Sequence, residues 1–134
     1  MKKILVALIA SLALFLAACG GSTPEAVAED YIKALFKFDY GAMKKLATEK
    51  NKAGLEESEK SMQELKDKDK KQMDEKKELY ANMTVTGSEQ ANISEDGNSA
   101  VVKVLAVDKE KKTSNFKVNL VKEKDTWKVE QLSK

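Results

Sequence analysis

The sequence contains no histidine and no arginine, and it has one cysteine and one proline among its 134 residues. Without histidine the chain lacks the commonest general base and the commonest ligand of transition metals. Without arginine it cannot hold a phosphate or a carboxylate through two parallel hydrogen bonds. One cysteine cannot form an internal disulfide bond. The sequence therefore predicts no catalytic set, no metal site and no cofactor.

The long apolar stretch of the chain lies near its start, where Lys2 and Lys3 precede residues 4–18. This stretch is shorter than the ~20 residues that a helix needs to cross a bilayer. A basic start, a short apolar run and small residues at its end are typical of a cleaved secretory signal. We therefore predict that residues 1–18 are a signal peptide.

The apolar stretch ends in Leu16-Ala17-Ala18-Cys19, which resembles the lipobox of bacterial lipoproteins. The resemblance implies that a signal peptidase recognises Leu16, Ala17 and Ala18, and that the Cys19 sulfur carries an acyl lipid. Cys19 is then the lipidation site, and the expected location is the bacterial cell envelope, anchored to membrane lipid. Gly20 follows the cysteine, which in a Gram-negative cell resembles the signal for the outer membrane, facing the periplasm.

The charge of the mature chain is balanced. Removal of Lys2 and Lys3 leaves 22 of the 24 lysines against 22 acidic residues. Nucleic-acid binding needs a net basic surface, so we expect no nucleic-acid partner. Residues 19–23 form the lipidated cysteine and a tether whose last four residues reach at most ~14 Å. The sequence leaves open whether the protein is a monomer or a dimer.

Residues 24–134 predict a single domain that begins with an amphipathic helix. Ser22 or Thr23 can cap this helix, and Pro24 suits its first turn. Glu25 lies three residues after Ser22, which is the spacing of a capping box. The apolar residues then follow the helical period of 3.6, at Val27, Tyr31, Ala34, Leu35 and Phe38.

Two more helices are predicted before the pattern changes. Asp39 is a candidate cap of a short second helix that begins at Tyr40. Residues from about 55 to 81 are highly charged with sparse apolar positions, which predicts one long, mostly solvated helix.

From Met83 onwards the apolar residues recur with period two, which indicates strands. A first strand opens there and is expected to run towards Ile93, and Asp96-Gly97 is a hairpin signal. Further strands are predicted over 100–107, 113–121 and 127–132. Helices followed by strands predict an α+β domain, with helices packed on an antiparallel sheet of about four strands.

Several of these residues resemble small bacterial lipoproteins with a nuclear-transport-factor-2-like domain of unknown function. The resemblance rests on three motifs, Pro24-Glu25-x-Val27-Ala28-x-x-Tyr31-Ile32-x-Ala34-Leu35, Asp39-Tyr40-x-x-Met43-x-x-Leu46 and Asp125-Thr126-Trp127-Lys128-Val129. It implies a curved antiparallel sheet that wraps a helix and often leaves a cone-shaped pocket. Members of this fold include isomerases, dehydratases, cyclases and non-enzymatic binding modules, so the fold alone does not decide the function.

Titratable side chains near the expected pocket are few. The strand residues that should face inward do not titrate, and they are Val102, Val104, Ala106, Phe116, Val118 and Leu120. Tyr31, Asp39 and Tyr40 are the candidate residues of a pocket rim. The leading hypothesis is a non-enzymatic module that binds an envelope protein or a small apolar ligand. The alternatives are a small pocket enzyme that uses Asp39 or Tyr31, and a structural protein that interacts through its charged helix.

Overall fold

The structure is a computed structural model of the chain, and it describes residues 22–133. The lipobox residues Leu16, Ala17, Ala18 and Cys19 lie outside the described residues, so their roles stay predictions. Within the described part, no helix is both long enough and apolar enough to cross a membrane.

Helices come first along the described chain and strands follow, which confirms the predicted α+β class. The helices are α1 (Pro24–Phe36), α2 (Tyr40–Lys45), α3 (Glu49–Gln63) and α4 (Asp67–Ala81). The strands are β1 (Thr84–Ser88), β2 (Asn92–Ile93), β3 (Ser99–Val107), β4 (Thr113–Glu123) and β5 (Thr126–Ser133). The strand expected to run on towards Ile93 is thus two strands, β1 and β2.

Helix α1 begins where the sequence predicts, because the Thr23 hydroxyl accepts a hydrogen bond from the Ala26 amide at 3.2 Å. Glu25 does not complete the predicted capping box. Its Oε1 instead accepts a hydrogen bond from the Ala91 amide at 3.0 Å. This bond gives the partly buried Ala91 amide an acceptor, and an unpaired donor there would be unfavourable. Glu25 therefore fastens the first turn of α1 to the segment that precedes β2.

The prediction of one long helix over residues 55–81 is wrong, because α3 and α4 are separate helices joined by residues 64–66. Leu65 is half-buried at this break, so the chain turns inward there. Asp67 and Asp69 then lie in the first turn of α4. Carboxylates stabilise the positively polarised start of a helix, so these two residues favour a new helix at this point.

The sheet is antiparallel throughout its described pairs, in the order β1-β3-β4-β5, with β2 also paired to β3. Strand β3 is central, as its nearly continuous apolar sequence predicts. Register shifts between Val85 and Gly87 and between Asn119 and Leu120 interrupt the regular pairing. Bulges of this kind bend strands, so they curve the sheet around α1.

The core lies between α1 and the concave face of the sheet. Ala28 and Ile32 of α1 are fully buried there. They pack in one cluster with sheet residues that are also buried, namely Ala100, Val102, Val104, Ala106, Val118, Leu120 and Val129. Each large aliphatic side chain buried in this way contributes about 1.5–3 kcal/mol. The core contacts described here all lie within residues 22–133, so a chain that begins at Ser22 retains the residues that make them.

Candidate functional site

A cavity of about 570 Å³ lies between the helices, with α1 and α2 on one side and α3 and α4 on the other. We call it the helical cavity. Its apolar and aromatic lining consists of Tyr31, Leu35, Phe38, Tyr40, Met43, Leu55, Met62, Leu65, Met73, Tyr80 and Leu132. The rest of its lining consists of Gly54, Glu57, Ser58, Ser61 and Lys76. A concave site of this size with a mostly apolar wall is typical of small-molecule binding sites.

The position of the helical cavity differs from the cone-shaped pocket that the resemblance implies. Leu132 of β5 is the one sheet residue in its described lining. The inward-facing residues of β3 and β4 pack against α1 instead, because α1 fills the concave face of the sheet. Phe116 is partly buried against the same cluster. The residues predicted to face inward therefore form the core, and the cavity lies beside α3 and α4.

The start of α3 is fixed to strand β5. The Thr48 hydroxyl caps α3 by accepting a hydrogen bond from the Asn51 amide at 3.1 Å. The Thr48 amide donates to the Val129 carbonyl at 3.0 Å, and the Val129 amide donates to the Leu46 carbonyl at 2.7 Å. Ala47 thereby forms a parallel bridge with Val129. These bonds fix where α3 enters the cavity wall.

Tyr31, a candidate rim residue, lies in the cavity wall with only 3% of its surface exposed. Asn51 Nδ2 donates one hydrogen bond to the Tyr31 hydroxyl oxygen at 3.2 Å and another to the Val129 carbonyl at 3.1 Å. Burial raises the pKa of the Tyr31 phenol, and the bond from Asn51 lowers this pKa by less. A phenol held in its protonated form is a weak general base near neutral pH, so this geometry favours a structural role.

The other two candidate rim residues have different positions. Tyr40 lines the cavity, whereas Asp39 does not. Asp39 Oδ1 accepts a hydrogen bond from the Ala42 amide at 3.0 Å and so caps α2. Burial raises the pKa of Tyr40, and the charge of Glu59 raises it further. Asp39 thus fixes the helix that presents Tyr40 to the cavity.

An ion pair ties α2 to α3 beside the cavity. Lys44 Nζ lies 2.7 Å from Glu59 Oε2. The hydrogen bond to Glu59 raises the pKa of Lys44, so the ammonium group stays charged near neutral pH. Glu59 lies outside the cavity lining, and Glu57 is the one carboxylate in the described lining.

Helix α4 is held mainly through aromatic contacts. The Tyr80 ring lies 5.5 Å from the Phe36 ring and 5.7 Å from the Phe38 ring, between centroids. Phe36 in turn makes an edge-to-face contact with Phe116 at 5.4 Å. No residue of α3 or α4 is fully buried. Helices α3 and α4 therefore line the cavity with half-buried and exposed side chains, unlike the closely packed core.

Two lysines of α4 lie over rings of the cavity wall. Lys76 Nζ is 5.8 Å from the Tyr80 ring centroid, and Lys77 Nζ is 5.8 Å from the Phe38 ring centroid. An ammonium group is attracted to the face of an aromatic ring, which positions these two charges at the edge of the cavity.

Sequence reasoning missed Asn51, Gly54 and most cavity residues of α3. The spacing of Thr48 and Asn51 could have indicated an earlier start of α3, because threonine is a preferred N-cap residue. The hydrogen bond of Asn51 with Tyr31 joins residues 20 positions apart, and no sequence pattern predicts it.

The family model described as a domain of unknown function, DUF4878, matches residues 17–130. Among solved structures, the chain is similar to a Campylobacter jejuni protein whose crystal structure names it as a candidate NTF2-like transpeptidase. The two chains are 19% identical, and the similarity covers 82% of this chain and 99% of that one, with a TM-score of 0.51. At this identity the similarity shows the fold alone, which is NTF2-like. No curated protein matches the chain.

Proposed function

The chain belongs to the DUF4878 family of domains of unknown function, and we propose that it is a lipid-anchored, non-enzymatic binding module of the bacterial cell envelope. The observation that carries the binding role is the helical cavity, with its methionine, leucine and aromatic lining. Methionine side chains are flexible and adapt to ligands of different shape. The proposed ligand is therefore a small molecule with a large apolar part.

An enzymatic role has less support from the same residues. The Tyr31 hydroxyl oxygen accepts a hydrogen bond from Asn51, and the Asp39 carboxylate accepts one from the Ala42 amide. Asp39 also lies outside the cavity lining. A general base needs to reach the proton that it removes, so neither group is well placed for one. The activity named for the Campylobacter jejuni protein is not carried over at 19% identity.

The proposed anchor fits the position of the cavity. Cys19 precedes Ser22 by three residues, and α1 begins at Pro24. The first cavity residue of α1 is Tyr31, about 10 Å further along the helix at a rise of about 1.5 Å per residue. An acyl chain on Cys19 would hold the first turn of α1 near the membrane and leave the cavity at the far end of that helix.

The anchor is tested by replacing Cys19 with alanine in the full chain. We expect the Cys19→Ala protein to accumulate with its signal peptide and without acyl chains, as measured by intact mass spectrometry of envelope fractions. The unchanged full chain is the control and should carry the added mass of the lipid. Acyl chains on the variant would contradict the proposed lipidation site.

The cavity is tested with N-phenylnaphthylamine, an uncharged apolar dye that fluoresces when it leaves water. The chain that begins at Ser22 should bind the dye and increase its fluorescence. Gly54→Leu should weaken this binding, because it adds a bulky side chain to the cavity lining. Ala53→Leu is the matched control, since Ala53 lies next to Gly54 on α3 but outside the lining. Absence of any dye binding would contradict the binding role.

A role as an interaction surface is the alternative that the exposure of α3 and α4 favours, because neither helix has a fully buried residue. An envelope protein would then contact the charged outer faces of these helices. Charge-reversing substitutions at Glu56 and Lys60 would remove such a partner from cross-linked envelope complexes. They would leave dye binding unchanged, since both residues lie outside the cavity lining.

A further inference from the structure

We propose that the ligand of the helical cavity is an acidic amphiphile. Its apolar end lies against Gly54, and its acidic group lies at the ammonium groups of Lys76 and Lys77. This proposal rests on the proposed binding function and adds to it the chemical class and the orientation of the ligand.

The first observation is that a glycine, Gly54, lies in the cavity lining. It lies inside α3, where glycine is the poorest helix former after proline. A Cβ atom added at Gly54 would meet no other atom within 4 Å, so close packing does not require glycine here. Its backbone is helical, so no special conformation requires glycine either. The missing side chain leaves space in the cavity wall, which a larger residue would fill.

The charge at the edge of the cavity is the second observation. Lys76 and Lys77 lie over the Tyr80 and Phe38 rings, both of which line the cavity. Neither ammonium group lies within 4.0 Å of a carboxylate in residues 22–133. Two unpaired cations beside an apolar cavity are complementary to a ligand whose polar end is an anion.

Glu57 carries a negative charge in the cavity lining, which would repel an acidic ligand. It is the one carboxylate of the described lining, and it has no ammonium group within 4.0 Å in the same residues. Glu57 and Lys76 balance each other within the described lining, so the ammonium group of Lys77 over the Phe38 ring gives the edge of the cavity one positive charge in excess. An acidic ligand is therefore favoured over a basic one of the same length.

The experiment compares three compounds that share one alkyl chain, namely tetradecanoate, tetradecanol and tetradecylamine. Displacement of N-phenylnaphthylamine from the chain that begins at Ser22 is measured for each compound, at concentrations below its micelle or solubility limit. We expect the acid to bind about three- to tenfold more tightly than the alcohol, as partly exposed charge pairs allow. We expect the amine to bind most weakly.

Variants then identify the groups involved. The double variant Lys76→Gln/Lys77→Gln should remove the preference for the acid, whereas Lys68→Gln/Lys71→Gln, on the same helix outside the lining, should preserve it. Glu57→Gln should increase the affinity for the acid. Gly54→Leu should weaken binding of all three compounds, and Ala53→Leu should not, while circular dichroism shows an unchanged helix content.

The outcomes separate the two proposals. Equal or tighter binding of the amine would overturn the acidic class, and so would an acid preference that survives in Lys76→Gln/Lys77→Gln. Unchanged affinity in Gly54→Leu would overturn the placement of the apolar end. Absence of dye binding would contradict the proposed binding function itself, whatever the class of the ligand.

Discussion

Asn51 Nδ2 donates a hydrogen bond to the Tyr31 hydroxyl oxygen at 3.2 Å and a second one to the Val129 carbonyl at 3.1 Å. One side-chain amide thus joins α3 to α1 and to β5. Because α3 has no fully buried residue, such polar contacts matter more for its position than they would for a core helix.

The hydrogen bond between Asn51 and Tyr31 should give a measurable coupling energy in a double-mutant cycle. Tyr31→Phe removes one hydrogen bond and should lower the free energy of unfolding by about 0.5–1.5 kcal/mol. Asn51→Ala removes both bonds of the amide and should lower it by about 1–3 kcal/mol. Urea denaturation of both single variants and the double variant tests this, and strictly additive losses would show that the bond contributes nothing.

The role of Asp39 can be separated into capping and charge. Asp39→Asn keeps a side-chain oxygen for the Ala42 amide and should change stability little. Asp39→Ala loses the cap and should lower the free energy of unfolding by about 1 kcal/mol. Equal losses in the two variants, measured by urea denaturation, would mean that the carboxylate charge matters and not the cap.

Gly54→Ala should stabilise the ligand-free protein. Alanine restricts the unfolded chain and favours a helix by about 0.5–1 kcal/mol relative to glycine, and the cavity has room for the methyl group. Thermal unfolding should therefore show a higher melting temperature. The same variant should bind N-phenylnaphthylamine no more tightly than the unchanged chain. A lower melting temperature would show that the glycine is required by the fold.

Alkaline pH should destabilise the domain through its buried tyrosines. Burial raises the pKa of Tyr31 and Tyr40 above their ordinary value of 10.0. As pH rises above about 10, the unfolded state loses these protons first. The native state then holds more protons, so the free energy of unfolding falls as pH rises towards the folded pKa values.

The check is urea denaturation across this alkaline range. The fall in stability should be shallower in Tyr31→Phe/Tyr40→Phe than in the unchanged chain. The raised pKa of Lys44 also lowers stability at high pH, but both proteins contain Lys44, so the difference in slope reports the tyrosines. Parallel slopes would contradict a raised pKa for both phenols.

Local sequence signals predicted most of the fold. Thr23 and Asp39 are the caps that the structure shows, and the period-two pattern placed β3, β4 and β5. These features depend on residues close together in the chain, such as a hydroxyl and an amide three residues later. The α+β class follows from them.

The break between α3 and α4 and the position of the cavity could not be predicted in the same way. Charges recur regularly through residues 60–76, so local pattern favours a continuous helix. The turn places Leu65 in the same cavity lining as residues of α1 and α2, which are distant from it in the sequence. The site itself combines Tyr31 of α1, Gly54 of α3 and Lys76 of α4, which only the packing of the helices brings together.

The most direct test of the binding role is native mass spectrometry of the chain from Ser22, exported to the bacterial envelope behind a signal that is cleaved before this residue. We predict a reproducible added mass that matches an acidic amphiphile. This mass should be present in the unchanged chain and in Ala53→Leu, and absent from Gly54→Leu. A bare protein mass in all three, together with no binding of N-phenylnaphthylamine, would contradict the account.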